Sequence, residues 1–198
     1  MDRVPNDKLV EAALAMTAAV GKPLTRLQTG TRAMKYSMAD GKTVRIRTCN
    51  DHVLVVLASS AEDDATLNIE GTDYLLVAMP EVPRRDGPVV AYFLPTSVAV
   101  ADVRSAHTQW LQSGPATRGN NKTWNLWFDD GPPGCSGFAE RWAQYRLPTF
   151  KTPAKRSDAS VLGAGGKTLG DVIARARAEI AAAAGVPVEA VKITVALA

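Results

Sequence analysis

The sequence predicts an α/β fold, with a central mixed sheet of about five to six strands flanked by helices and a C-terminal helix-strand extension. Three observations carry this prediction. The segments "HVLVVLAS", "DYLLVAMPE" and "VVAYFLPT" are continuous apolar runs of strand length bounded by polar turns, the pattern of strands buried on both faces. The segments "NDKLVEAALAMTAAV" and "TSVAVADVRSAHTQWLQSG" repeat apolar residues at helical spacing. Between them, Asp40-Gly41 lies in β-prone surroundings, the strongest short-range signal for a hairpin.

Taken in order, the first helix sets Leu9, Ala13, Met16 and Val20 on one stripe, with Asn6 or Asp7 as its cap and Gly21 as its stop. The hairpin strands run roughly over Ala33–Met38 and Thr43–Thr48, and the three apolar strands follow. The second helix opens at Thr96 or Ser97, aligns Val100, Val103, His107, Trp110 and Leu111, and stops at Gly114. In "TWNLWF", Trp124, Leu126 and Phe128 alternate with Thr123, Asn125 and Trp127, which predicts a strand with Trp127 on the outward side. A short helix with Phe138, Trp142 and Tyr145 as its apolar side closes the core domain, residues 1–148. Residues 149–167, rich in Pro, Ser, Gly, Lys and Ala, read as a linker. Residues 168–198 follow as a helix (Leu169, Val172, Ile173, Ile180) and an alternating strand (Val191, Ile193, Val195, Leu197), expected to dock on the core or on a partner.

A chain of 198 residues with 46% hydrophobic content folds without staples. Two cysteines, Cys49 and Cys135, make no disulfide framework, and no apolar run has the length of a membrane span. Free thiols, a cytoplasmic location and no membrane partner are expected. A net charge of +3 does not by itself imply nucleic acid. Cations cluster, however: Arg26, Arg32, Lys35, Lys42, Arg45 and Arg47 share a stretch whose one acid is Asp40, and "TRGNNK" adds Arg118 and Lys122 beside Trp127.

Chemistry-bearing motifs are weak. "GAGGKT" lacks the first glycine of a phosphate-binding loop, because Val161 stands there and no strand leads in. His52 and His107 are isolated from each other and from the cysteines, so zinc spacing is missing, and His107 reads as a satisfied core histidine. "GCSG" has neither the strand nor the helix that a nucleophile elbow needs. No catalytic residue, metal ligand or cofactor is expected.

The order of helix, hairpin ending in "VRIRT", "DYLLVAMPE", "VVAYFLPTSVAV", helix and "GFAERWAQYRL" resembles the restriction-endonuclease-like PD-(D/E)xK superfamily over about Leu9 to Leu147. In that resemblance Glu11 matches an acid of the first helix, and Tyr92, Pro95 and Thr96 match the strand-to-helix junction. The resemblance implies an endonuclease-like fold whose working members hold Mg²⁺ on two carboxylates with a lysine near the attacking water. This chain departs from it: Tyr36 to Met38 stand where the first acid should be, and Arg45 and Arg47 replace the second acid and the lysine. Guanidinium groups repel a cation but bind phosphate or carboxylate well. The expectation is a non-catalytic nucleic-acid-binding or nucleoprotein-associated protein, with Arg32, Lys35, Lys42, Arg45, Arg47, Arg118, Lys122 and Trp127 as contact residues. Two alternatives stand beside it. One is a divergent metal nuclease using Asp63, Asp64 or Asp73, and the other is an interaction or scaffold subunit that pairs with a protein partner or a second copy through its C-terminal extension.

Overall fold

The first helix, α1, spans Asn6–Ala19 and buries Leu9, Val10, Ala13, Met16 and Thr17. It ends as the sequence predicts. Gly21 adopts φ 74°, and the amides of Gly21 and Lys22 reach the carbonyls of Ala18 and Thr17 at 3.0 and 2.9 Å, a Schellman closure that only a left-handed residue completes without strain. The start differs, because Pro5 occupies the cap position with no side-chain bond. Asn6 is engaged elsewhere, its Oδ1 accepting from Thr48 Oγ1 at 3.1 Å.

A five-stranded mixed sheet forms the centre. Its strands are β1 (Thr25–Arg26), β2 (Lys35–Ser37), β3 (Thr43–Thr48), β5 (Tyr74–Pro80) and β6 (Val89–Pro95), in the order β1-β2-β3-β5-β6; β4 (Val53–Leu57) lies outside it. The β2–β3 hairpin turns through Gly41 at φ 82°, closed by Met38 N–H to the Lys42 carbonyl at 2.8 Å. β3 and β5 are parallel, and β6 returns antiparallel to β5. Both β5 and β6 are buried on both faces, as their unbroken apolar runs predict.

Two cores follow from that double burial. On one face, Tyr36, Val44, Ile46, Leu76, Ala78, Ala91 and Phe93 pack under α1. On the other, Leu75, Val77, Met79, Tyr92 and Leu94 pack beneath a second layer. Each fully buried leucine or phenylalanine contributes about 1.5–3 kcal/mol, so the two cores account for the fold's cohesion. The second layer consists of helix α2 (Thr96–Gln112) and a two-stranded antiparallel sheet of β4 with β7 (Thr123–Trp127). α2 approaches through Ala99, Val103, Ala106 and His107, while Val100 and Trp110 of the predicted stripe pack partly buried against the core. The short α3 (Phe138–Arg141) and the 3-10 turn Ala143–Tyr145 bring the chain back to β6, where the Leu147 amide donates to the Ala91 carbonyl at 2.8 Å.

Two expectations need correction. "HVLVVLAS" is not buried on both faces: Leu54 and Val56 point inward, but Val55 is 41% and Leu57 51% exposed. Paired with β7 and with no other described strand, β4 lies outside the central sheet and faces solvent on one side. α2 begins at Thr96 but takes no side-chain cap, since Thr96 is buried with its hydroxyl 3.5 Å from that of Thr72. β1 was not foreseen, being two exposed residues that pair with Tyr36 and Ser37.

The computed structural model describes residues 3–28, 34–114, 120–149, 177–178 and 188. The chain divides into two compact units, Met1–Lys151 and Thr152–Ala198. The expected linker, the helix from Thr168 and the final strand lie outside the described residues but for residues 149, 177–178 and 188. No helix among the described residues is long and apolar enough to cross a membrane.

Candidate functional site

Strand parity decides which cations meet. Tyr36, Val44 and Ile46 face α1, so Lys35, Arg45 and Arg47 face the other way. Register completes the grouping: Lys35 lies directly opposite Arg45, and Arg45 and Arg47 neighbour Leu75 and Val77 on β5. The three cations therefore form a strip where the sheet face emerges from beneath the second layer. Like charges facing each other across a ladder are destabilising, by about 0.2–1 kcal/mol.

The partners of these cations are main-chain carbonyls. Arg45 donates from Nη1 to the Asn68 carbonyl, Arg47 from Nη2 to the Val55 carbonyl at 2.7 Å, and Lys35 to the Gly71 carbonyl at 3.5 Å. Among the described residues, no carboxylate lies within ion-pair distance of any of the three. Arg45 Nε is buried without a hydrogen-bond partner. Burial, and after it the neighbouring Arg47 charge, lowers the pKa of Arg45 below the ordinary arginine value.

Beyond Arg47 the strip leads to a groove of about 480 Å³, lined by Arg3, Asn6, Thr48, Asn50, Asp51 and Val55 among others. Val55 links the two, since its carbonyl holds Arg47. The groove borders the first turn of α1, where main-chain amides favour negative charge. Asp51 bridges Arg3, at 3.2 Å, and Arg84, and hydrogen bonding from Arg84 holds its carboxyl below the usual range.

The remaining predicted contacts do not join this strip. Lys42 lies on the opposite face, its Nζ 5.7 Å from the Tyr74 ring centre and 3.6 Å from Asp40. Lys122 is exposed at the head of β7, its carbonyl accepting from the Ala58 amide at 2.9 Å. Trp127 is not an open stacking platform: it is half-buried, packs against the larger core, and lies so close to Gly131 that a Cβ there would sit 2.6 Å from Trp127 Cγ. Arg32 and Arg118 lie outside the described residues.

Of the acids considered for metal binding, Asp63 and Asp64 are exposed in the loop before Ala65, and Asp73 is engaged by its neighbours. Asp73 Oδ2 accepts from the Thr43 amide at 2.7 Å and the Thr43 hydroxyl at 2.9 Å, and these bonds hold its carboxyl below the usual range. Glu11 is exposed on α1. Among the described residues, no three His, Cys, Asp or Glu side chains come together as a metal site.

Sequence reasoning missed several paired groups. Arg104 ties the acidic loop to α2 through the carbonyls of Asp63 and Ala65 and the Glu70 carboxylate at 3.2 Å. His52, at φ 54°, joins Asp129 Oδ2 through Nδ1 and the Pro80 carbonyl through Nε2, both at 2.6 Å. His107 is a core histidine but not a satisfied one, because Nε2 has no partner. Nothing in a single sequence marks such pairings, whose members lie far apart along the chain.

No family model matches the chain, and no curated protein matches it. Among solved structures it is similar to one described as the crystal structure of MepB, at 11% identity and a TM-score of 0.33, over 75% of this chain and 99% of that one.

Proposed function

We propose that the protein is a non-catalytic nucleic-acid-binding protein of endonuclease-like fold, in which Lys35, Arg45 and Arg47 hold the phosphate backbone. One observation carries the reading: three cations share one sheet face, two of them directly opposed, with no described carboxylate in ion-pair distance. Main-chain carbonyls orient the guanidinium groups without neutralising them, which leaves their charge for a polyanion. The groove past Arg47 adds Arg3 and the start of α1, and its one acid, Asp51, is itself paired with Arg3 and Arg84. Phosphate contact of this kind gives affinity without sequence preference and a steep dependence on salt.

Fluorescence anisotropy with labelled single- and double-stranded DNA tests it. The expected result is a dissociation constant on the order of 1–100 μM at low salt, weakening as salt rises. Absence of binding at low salt to either form overturns the reading.

A second reading, a protein-interaction subunit, rests on the outward side of β4, where Val55 and Leu57 stand exposed beside each other's alternate positions. Light scattering on the full chain and on Leu57→Lys tests it. Association lost in the variant supports it, and a monomer at every concentration removes self-association.

A further inference from the structure

At the groove beyond Arg47, one acid holds two further arginines. Asp51 gives one carboxylate oxygen to each, Oδ2 accepting from Arg3 Nη2 at 3.2 Å and Oδ1 from Arg84 Nε. The pairs sit at the surface, where the side chains of Arg3, Arg84 and Asp51 are 69%, 50% and 35% exposed. Exposed ion pairs hold weakly.

Asp51 is not what places these arginines. Asn50 does so, through the main chain: its Oδ1 accepts from the Val4 amide and its Nδ2 donates to the Val4 carbonyl, both at 2.9 Å. Its own carbonyl accepts from the Arg84 amide at 2.9 Å. The first two bonds fix the chain next to Arg3. The third fixes Arg84 itself, at φ 58°, a left-handed conformation that residues other than glycine seldom adopt. Backbone strain of this kind persists where the surroundings impose it, and it gathers at ligand-binding positions. Removing the Asp51 charge therefore leaves both arginines beside the groove.

The geometry shows what the carboxylate resembles. It bridges two guanidinium groups through separate oxygens, and the two unesterified oxygens of a phosphodiester bridge arginines in the same way. Hydrogen bonding from Arg84 holds the Asp51 carboxyl below its usual range, so it is ionised at pH 7. The site is also continuous with the strip. Asp51 is four residues beyond Arg47, so their Cα atoms lie no more than about 14 Å apart, and Val55, whose carbonyl holds Arg47, lines the same groove as Arg3 and Asp51.

We propose that Asp51 is an internal stand-in for a backbone phosphate, masking Arg3 and Arg84, and that the phosphate track of Lys35, Arg45 and Arg47 continues onto these two arginines when the carboxylate is displaced. The proposal rests on the phosphate-binding reading of the strip and adds to it a contact that limits affinity.

Anisotropy with labelled single-stranded DNA tests it, read as affinity and as salt slope on the full chain. Asp51→Asn keeps the shape of the side chain and removes the mask. It should tighten binding at low salt by at least about tenfold, and steepen the slope of log affinity against log salt by about 1.4, two single-strand contacts at about 0.7 each. Asp51→Ser should do the same, and serves in its place if Asp51→Asn loses the native near-ultraviolet circular dichroism. Adding Arg3→Gln and Arg84→Gln should return the slope to its native value, and Asp51→Glu, which keeps the charge, should bind as the native chain does. Asp40→Asn controls for net charge, since Asp40 is likewise paired with a cation, Lys42 at 3.6 Å, but on the opposite face. It should change neither affinity nor slope. A native chain that binds DNA with an affinity and slope unaltered by Asp51→Asn, or an equal gain from Asp40→Asn, would overturn the mask and leave the strip reading standing. Absence of binding from the native chain and Asp51→Asn alike would overturn both.

Discussion

Replacing Arg45 by methionine separates a residue kept for a ligand from one kept for the fold. The change removes a charge-assisted hydrogen bond to the Asn68 carbonyl, worth about 1.5–3 kcal/mol. It also removes a buried Nε that has no partner, relieving about 1–3 kcal/mol, and the opposed Lys35 charge, relieving about 0.2–1 kcal/mol. Methionine keeps most of the stem's packing. The Asn68 loop keeps its other ties, since Asn68 N–H reaches the Leu57 carbonyl at 2.9 Å and Asn68 Oδ1 accepts from the Leu57 amide at 3.1 Å. The opposing contributions cancel to within about 1 kcal/mol, which for a chain of this size moves the melting temperature by no more than about 2–4 °C. Urea and thermal unfolding of the native and Arg45→Met proteins measure this. A loss above about 2 kcal/mol would refute the argument, because the guanidinium would then be a structural pin and its lack of a carboxylate would need no ligand to explain it.

Trp142, almost wholly buried, donates to Asp102 Oδ2 at 2.7 Å and meets Phe128 and Phe138 edge-on. Trp142→Phe should lower stability by about 2–4 kcal/mol in chemical unfolding, and a loss below about 0.5 kcal/mol would contradict that bond's role. Burial lowers His107 in the fold, so the unfolded chain takes up its proton first. Its contribution is then full above about pH 6.5 and is lost as the pH falls towards the folded value. Unfolding of native and His107→Gln protein between pH 7.5 and 5 should show the steeper fall in the native chain, and parallel curves would contradict it. Burial pushes the Cys49 thiol up to about 12. At pH 8 Cys49 should resist alkylation until the protein unfolds, and rapid labelling in the native state, located by mass spectrometry, would oppose this.

The parts of this fold that were legible were those whose residues carry their own instruction. β5 and β6 are apolar at every position because both faces are covered, and Asp40-Gly41 marks the turn because a left-handed backbone is needed there. Alternation alone separates Lys42 from Arg45 and Arg47, yet clustering along the sequence grouped them. "VLVVL" looks the same whether one face or two are covered, so the departure of β4 to a second sheet was hidden. The parts of the site that were missed depend on long-range pairing. Arg45 meets the Asn68 carbonyl, and Arg47 the Val55 carbonyl, only through the way the two layers are laid together.

The central claim is that the charge available to a polyanion lies on the Lys35–Arg45–Arg47 face and not on the face that carries Lys42. The most direct test is the slope of log affinity against log salt for DNA binding, compared among the native chain, Arg45→Met with Arg47→Gln, and Lys42→Gln. Each phosphate contact contributes about 0.7–0.9 to that slope. The account predicts that the double variant flattens it by about 1.4–1.8 and that Lys42→Gln leaves it unchanged. An unchanged slope in the double variant, or an equal loss from Lys42→Gln, would contradict it.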